Sequence, residues 1–380
     1  MTQNPLSISR GGKLFTRSKK KITFKDLALI YTPGVAKVVR AVAENPKNVY
    51  RYTWKKRSVA IVSDGSAILG LGNLGALPAL PVMEAKAVLF KELGGVDAVP
   101  VVLNTQDPEK IVEIIKAIAP SFGGINIEDI SAPNCFVIKE KLKKELDIPV
   151  FHDDQYGTAI VVLAGLINAA KVARKDLKRL KIVISGAGAA GMATAKLLEK
   201  YGVKNIILFD SVGAIYRGRT EKMNFAKIRI SQKTNPEKFT GSLKEGMVGA
   251  DIFVGLSAPG IINRFDVEKM NKKSIVFALA NPVPEIMPEE AQKGGVFIMA
   301  TGRSDFPNQI NNALVFPGIF KGALQTETVL ITDELKLKAA LALARVIKKP
   351  TSNNIIPKVM DRRAVQAVAS VFGKANKKYN

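Results

Sequence analysis

Short apolar runs alternate with longer segments of helical period along most of this chain. Ser58–Ser63, Ala98–Leu103, Ile125–Ile127 and Pro149–His152 read as strands, bounded by Gly, Pro and Asp. Leu80–Leu93, Pro108–Ala119 and Asn134–Leu146 read as helices between them. Upstream, Lys25–Asn45 reads as two helical pieces split at Thr32-Pro33-Gly34, because proline does not continue a helix. A long apolar helix is expected from Gly157 to about Val172, followed by the polar, basic stretch Arg174–Arg179. A second series begins at Leu180, with strands at Lys181–Ser185, Asn205–Asp210, Ile252–Gly255, Ile275–Ala278 and Val296–Met299 and a helix over Gly191–Tyr201. Helices at Leu335–Lys348 and Asp361–Lys374 close the pattern. The alternation predicts an α/β protein: an N-terminal α/β domain over residues 1–155, then a Rossmann-like doubly wound dinucleotide-binding domain over 156–380. No internal repeat or low-complexity tract interrupts it.

Composition changes this picture little. The 380 residues are 47% hydrophobic and 24% charged, as in ordinary globular proteins. Val59–Val62 and Ala159–Ala170 fall short of the roughly 20 residues a membrane span needs. The N-terminus lacks the pattern of a secretory signal, and a lone Cys135 leaves no disulfide framework, so a cytoplasmic location is expected. The net charge of +24 raises a competing class, a basic nucleic-acid-binding α/β protein. Its cations are scattered over Arg17–Lys21, Lys55–Arg57, Lys139–Lys144, Lys171–Lys181, Lys348–Lys349 and Lys377–Lys378. They read as lacking the interleaved aromatics of a single-strand platform, which favours a solvated basic surface.

The candidate chemistry gathers at strand ends. Glu128-Asp129 closes the run from Gly123, and Asp153-Asp154 closes Ile148–His152. Side chains at such ends point into a crevice, and hard carboxylate oxygens suit Mg²⁺ or Mn²⁺. Either pair has a plainer reading as a helix cap. Gly186-Ala187-Gly188-Ala189-Ala190-Gly191 follows a strand and opens a helix, the arrangement that receives a dinucleotide pyrophosphate. Asp210 ends the next strand, where it would meet a ribose 2′-hydroxyl and disfavour a 2′-phosphate. NAD is therefore expected over NADP, although Arg217 and Arg219 stand close enough to accept NADP.

Several motifs occur together in one order. They are Tyr31-Thr-Pro-Gly-Val-Ala36, Met83-Glu-Ala-Lys86, Ile127-Glu128-Asp129 and Phe151-His-Asp153-Asp154-Gln-Tyr-Gly-Thr-Ala159. Ala278-Leu-Ala-Asn281-Pro and Thr301-Gly-Arg-Ser-Asp-Phe-Pro-Asn-Gln-Ile-Asn311-Asn312 follow. From about residue 5 to 365 the chain strongly resembles the short, prokaryotic-type malic enzymes. The resemblance implies oxidative decarboxylation of malate to pyruvate and CO₂ with a nicotinamide cofactor and Mg²⁺ or Mn²⁺. It implies Lys86 as general base, Tyr31 as general acid and Asp153 as an orienting group. Glu128, Asp129 and Asp154 would bind the metal, and Asn281 and Asn312 would contact cofactor ribose or substrate. A homodimer or larger assembly, paired through the first domain, is implied as well.

The chemistry needs a base poised near neutral pH, which a lysine can become through burial and nearby cations. Two residues depart from the family pattern: Tyr156 stands where short malic enzymes usually carry His, and Ala85 where Gly is common. His152, the one histidine, reads as orienting a strand end. A malolactic reaction, giving lactate with the cofactor retained, is the alternative within the same family.

Overall fold

The computed structural model describes residues 4–19, 21–68 and 70–373. Lys20, Lys374, Lys377 and Lys378, which figure in the runs above, lie outside the described residues. The chain opens with α1 (Pro5–Ser9), α2 (Phe24–Ile30), α3 (Val35–Glu44) and α4 (Asn48–Tyr52). Next come β1 (Ser58–Ser63), α5 (Ala76–Leu89), β2 (Asp97–Val102), α6 (Pro108–Ile118), β3 (Gly124–Ile127), α7 (Asn134–Glu145) and β4 (Val150–His152). These strands form a parallel sheet in the order β2-β1-β3-β4. Nearly continuous Val and Ile runs suit strands covered on both faces, and β1 is buried along its whole length.

Helix α8 (Asp153–Ala173) then runs through the middle of the molecule. It starts four residues before the expected Gly157, because His152 caps it: Nδ1 accepts the Gln155 N–H at 3.1 Å. Its apolar character on all sides is what a helix enclosed on every side requires. Asn168 is a polar exception, and its amide donates to the carbonyls of Ala344 and Ile355 at 2.9 Å each. At 21 residues α8 is long and apolar enough to cross a membrane, contrary to the expectation that no stretch reaches that length. With 83% of its apolar window buried inside the protein, it is a core helix.

The second sheet carries β5 (Lys181–Ser185), α9 (Ala189–Tyr201), β6 (Asn205–Phe209), α10 (Phe225–Ser231), α11 (Leu243–Gly246) and β7 (Ile252–Gly255). It continues with α12 (Arg264–Glu268), β8 (Ile275–Ala278), α13 (Pro288–Lys293) and β9 (Ile298–Thr301). Its strands are parallel in the order β6-β5-β7-β8-β9, so the winding reverses between β5 and β7. That reversal opens the crevice where doubly wound sheets bind ligands.

The C-terminal helices α14 (Phe316–Thr326), α15 (Asp333–Arg345) and α16 (Arg362–Ser370) bridge the two sheets. Phe316 and Phe320 of α14 return to the first sheet, with ring centroids 4.6 and 5.5 Å from Phe90. Phe320 also meets Phe151 edge-on at 6.2 Å, while α15 packs along α8. Helix α14 carries apolar residues on several sides, so no helical stripe marked it in the sequence.

One basic stretch differs from the expectation above. In Tyr50–Arg57 aromatics and cations alternate, and Tyr50, Arg51, Tyr52, Trp54, Lys56 and Arg57 line a cavity of about 570 Å³. It opens at the N-terminal ends of β1 and β2, opposite the strand ends where the acidic groups gather.

Candidate active site

The carboxyl ends of β1, β3 and β4 deliver the polar groups. Asp64, directly after β1, accepts hydrogen bonds on Oδ1 from the Ser66 N–H and hydroxyl at 2.8 and 2.6 Å. Ser66 Oγ in turn accepts the Ser131 N–H at 2.8 Å, tying the loop after β1 to the loop after β3. Sequence reasoning missed this pair. An acid ending a strand and followed two residues later by Ser was the available signal.

Glu128 and Asp129 follow β3, and Asp153 and Asp154 begin α8. Asp129 has φ +49°, a left-handed conformation uncommon outside glycine, and its N–H donates to Asp154 Oδ2 at 2.8 Å. Carboxylate oxygens of Glu128, Asp129 and Asp154 lie within 4.8 Å of one another. Burial, with Asp129 beside it, pushes Asp154 up to about 7. Burial and Asp154 likewise raise Glu128, against the opposing pull of Lys86 and Asn126. The Asn126 amide donates to Glu128 Oε2 at 3.0 Å, a second contact that sequence reasoning missed. Clustered, desolvated like charges are costly without a shared cation. A donor set of oxygen alone fits Mg²⁺ or Mn²⁺.

Lys86 projects from α5 into the same place and is buried. Its Nζ donates to Asp153 Oδ2 at 2.5 Å, forms an ion pair with Glu128, and lies 4.6 Å from the Phe316 ring centroid. Burial alone would lower the Lys86 ammonium, but Asp153, Glu128 and Asp154 outweigh it and hold the group above its ordinary value. The expected tuning by nearby cations is therefore corrected, since the charged groups around Lys86 are carboxylates. Asp153 is pushed up to about 7 by burial, with Lys86 opposing. Gly157 leaves room for this arrangement, since a Cβ there would sit 1.7 Å from Asp153 Oδ1 and 3.1 Å from Asn312 Cβ. Asn312, on the other side of that glycine, joins Lys86 in drawing the Asp153 carboxyl down against burial.

Asn281, just past β8, meets the first domain's loop directly. A Cβ on Gly70 would stand 2.2 Å from the Asn281 carbonyl oxygen, so the two backbones touch across the crevice. Nearby, the Glu285 carboxylate accepts the Ser257 and Ala280 N–H groups at 3.0 Å each, pinning the loops after β7 and β8.

In the Gly-rich loop, Gly186 has φ +105° and Gly191 packs so closely that a Cβ would meet the Gly186 oxygen at 1.7 Å. Gly188 has nothing within 4 Å of its Cβ position, leaving the space a pyrophosphate would need before α9. Ala187, Ala189 and Ala190 complete the turn into α9. Asp210 is already engaged: Arg219 Nη2 donates to Oδ1 and Oδ2 at 2.8 and 2.7 Å, and Lys227 donates at 2.6 Å. Burial raises this carboxyl, but those cations and the Val212 N–H prevail and hold it below its usual range.

Tyr31 stands apart. It caps α2, is 67% exposed, and shares no hydrogen bond, ion pair or ring contact with Lys86 among the described residues. His152 is held neutral, lowered to about 3 by burial with Lys139 and Lys86 adding to it. Tyr156 is buried among lysines: Lys139 Nζ donates to its hydroxyl at 3.3 Å, and Lys336 Nζ sits 3.6 Å from its ring centroid.

Residues 9–143 match the malic enzyme N-terminal domain and residues 155–375 the malic enzyme NAD binding domain. The chain belongs to the malic enzyme family. It is 52% identical to the bifunctional malic/malolactic enzyme of Bacillus subtilis over 96% of this chain and 90% of that one. It is 54% identical to the NAD-dependent malic enzyme of Geobacillus stearothermophilus, covering 96% of this chain and 77% of the relative. The NAD-dependent malic enzyme of Thermotoga maritima superposes with a TM-score of 0.94 at 46% identity, covering 98% of this chain and 100% of that one. The malic enzyme of Pyrococcus horikoshii gives 0.91 at 48%, covering 97% and 89%. In this malic enzyme the two parallel sheets and the crevice between them are thus the family's fold.

Proposed function

We propose that the protein oxidises and decarboxylates L-malate to pyruvate and CO₂, with NAD as hydride acceptor and NADP as the alternative. The observation that carries this reading is Lys86, buried and joined to both Asp153 and Glu128 at the rim of a three-carboxylate cluster. Malate's C2 hydride would leave for C4 of the nicotinamide while Lys86, once neutral, takes the hydroxyl proton. Asp153 orients Lys86 through the hydrogen bond to its Nζ, and Asn312 would contact substrate or cofactor ribose beside them. Glu128, Asp129 and Asp154 would hold Mg²⁺ or Mn²⁺, which as a Lewis acid polarises the C2 oxygen and offsets the carboxylate charge that keeps Lys86 protonated. The β-keto acid loses its C4 carboxylate as CO₂, and the enolate gains a proton at C3, the task given to Tyr31. Asn281 would contact substrate or cofactor ribose.

Because Tyr31 is exposed on an N-terminal arm, this reading includes a homodimer that brings such an arm to a site. A cytoplasmic location agrees with the single, buried Cys135.

The test supplies L-malate and Mn²⁺ with NAD or NADP, following near-ultraviolet absorbance of reduced nicotinamide and assaying pyruvate in the same tubes. Equal amounts of reduced cofactor and pyruvate are expected. Lys86→Ala and Asp154→Ala should each abolish turnover, and normal activity in either would remove its assigned role. The name of the Bacillus subtilis relative includes the malolactic reaction. Lactate formed without net reduced cofactor would transfer the assignment to that chemistry.

A further inference from the structure

A second cavity, of about 160 Å³, lies between α7 of the first domain and α9 and α10 of the second. The first turn of α8 forms its floor through Gln155 and Tyr156. Lys139, Lys196 and Arg229 line it from three helices and Lys233 from the turn after α10, with Glu140 as a carboxylate on the same lining. Lys336 lies beneath, over the Tyr156 ring. The compensating acids are already committed: Asp333 pairs with Lys196 at 2.8 Å and Lys336 at 2.9 Å. Glu140 pairs with Lys139 at 3.1 Å, and Glu199 with Lys233 at 3.5 Å. Arg229 has no ion pair among the described residues. Five cations thus face three carboxylates, and Lys139 and Lys336 are more than nine-tenths buried. Phe136 and Phe225 meet edge-on at 6.2 Å on the wall, while Arg229 and Lys233 stand at the solvent-exposed mouth above the buried Lys139 and Lys336.

We propose that this interdomain cavity is a binding site for a small dianion, a phosphate- or dicarboxylate-sized oxyanion. Two unbalanced positive charges call for two negative ones. Lys139 Nζ, held by Gln155 Oε1 at 3.1 Å, the Tyr156 hydroxyl at 3.3 Å and Glu140 at 3.1 Å, fixes a positive charge on the floor. Arg229 offers the planar fork that binds oxyanions bidentately. The volume lies below the roughly 300 Å³ at which drug-sized ligand pockets begin, which excludes a nucleotide. An occupant would tie α7 to α9 and α10 directly behind the helix that begins with Asp153 and Asp154. The site therefore joins the two domains and biases how they close on the crevice.

The test is calorimetric titration of the full-length protein, saturated with Mg²⁺ and NADH, with inorganic phosphate, succinate and, as an ionic-strength control, chloride. One saturable phosphate or succinate per chain is expected. Arg229→Glu should weaken it by at least about tenfold while leaving the KM for malate in phosphate-free buffer unchanged. Lys233→Ala, a milder change at an exposed position in the turn just after α10, should weaken it in the same direction if Arg229→Glu fails to fold. Phosphate binding alone identifies a phosphate site, and succinate binding that Arg229→Glu weakens identifies a dicarboxylate site. No saturable heat, equal binding in wild type and Arg229→Glu, or displacement of the anion by cofactor would each overturn the proposal. The calorimetric binding is read without turnover, so failure of the catalytic reading would remove only the KM comparison.

Discussion

At the scale of single residues, protons and a metal ion compete for the same oxygens. Asp154 is pushed up to about 7 by burial and Asp129, so at pH 6 it is mostly protonated and at pH 8 mostly ionised. A metal must displace that proton, and its affinity should rise between those values, with proton release largest at the lower pH. Calorimetry with Mn²⁺ at pH 6 and pH 8, in buffers of different ionisation enthalpy, measures both. The sign for folding is the reverse. A carboxyl whose folded pKa is raised adds stability that is full below its unfolded value near 4 and is lost as pH rises through about 7. Metal should therefore raise the melting temperature more at pH 8 than at pH 6, and equal increments would argue against this cluster as the ligand set. Asp210 makes a second case. Its charge is spent on Arg219 and Lys227, so Asp210→Ala leaves two cations without a carboxylate at the place proposed for the cofactor ribose. The ratio of kcat/KM for NADP to that for NAD should rise about tenfold, the scale of one charge contact in a half-buried site. An unchanged ratio would mean that the cofactor's ribose lies elsewhere.

At the scale of elements, the strand-to-helix turn between β5 and α9 divides its glycines by purpose. Gly191→Ala drives a methyl to 1.7 Å from the Gly186 oxygen, so the turn itself must shift, and both melting temperature and cofactor affinity should fall. Gly188→Ala meets nothing within 4 Å, so the fold should keep its melting temperature while KM for the cofactor rises about tenfold and KM for malate stays. Thermal melts beside initial rates separate the two. Equal stability losses would show that Gly188 too is structural. This turn was legible in the sequence because its glycines, strand and helix lie within one short window. The carboxylate cluster was legible for a similar reason, since Glu128-Asp129 and Asp153-Asp154 end adjacent parallel strands. Contacts made through distant packing were not legible. Asn126 supports Glu128 from within β3, where a polar residue reads as an interruption of the strand, and α14 reaches Phe90 across more than two hundred residues of chain. The charge on Lys86 was misjudged because spacing names a lysine's neighbours on its own helix, and those that matter come from β3 and α8.

At the scale of the whole molecule, the N-terminal arm is the part whose stability the single chain does not account for. Helices α2 and α3 bury no residue, although Val35, Val38 and Val39 form a helical stripe and Phe24 is 91% exposed. Short helices in water draw their stability from packing an apolar face, so this arm needs a surface to cover it. The proposed homodimer would answer that need and also the position of Tyr31, which sits on the same arm without touching Lys86 of its own chain. In a two-fold dimer the same surface serves both partners, so one charge placed on the stripe is felt twice. Val39→Asp should convert the dimer to monomer by light scattering and lower malate turnover with it; a dimer that persists would move the interface off this arm. Mixing subunits then asks where Tyr31 acts. Tyr31→Phe and Lys86→Ala proteins, each inactive alone, should recover about a quarter of wild-type activity after exchange if the tyrosine serves the partner's site, because half of the dimers then hold one intact site. If it serves its own chain, every site in every mixed dimer keeps a defect, and mixing restores nothing.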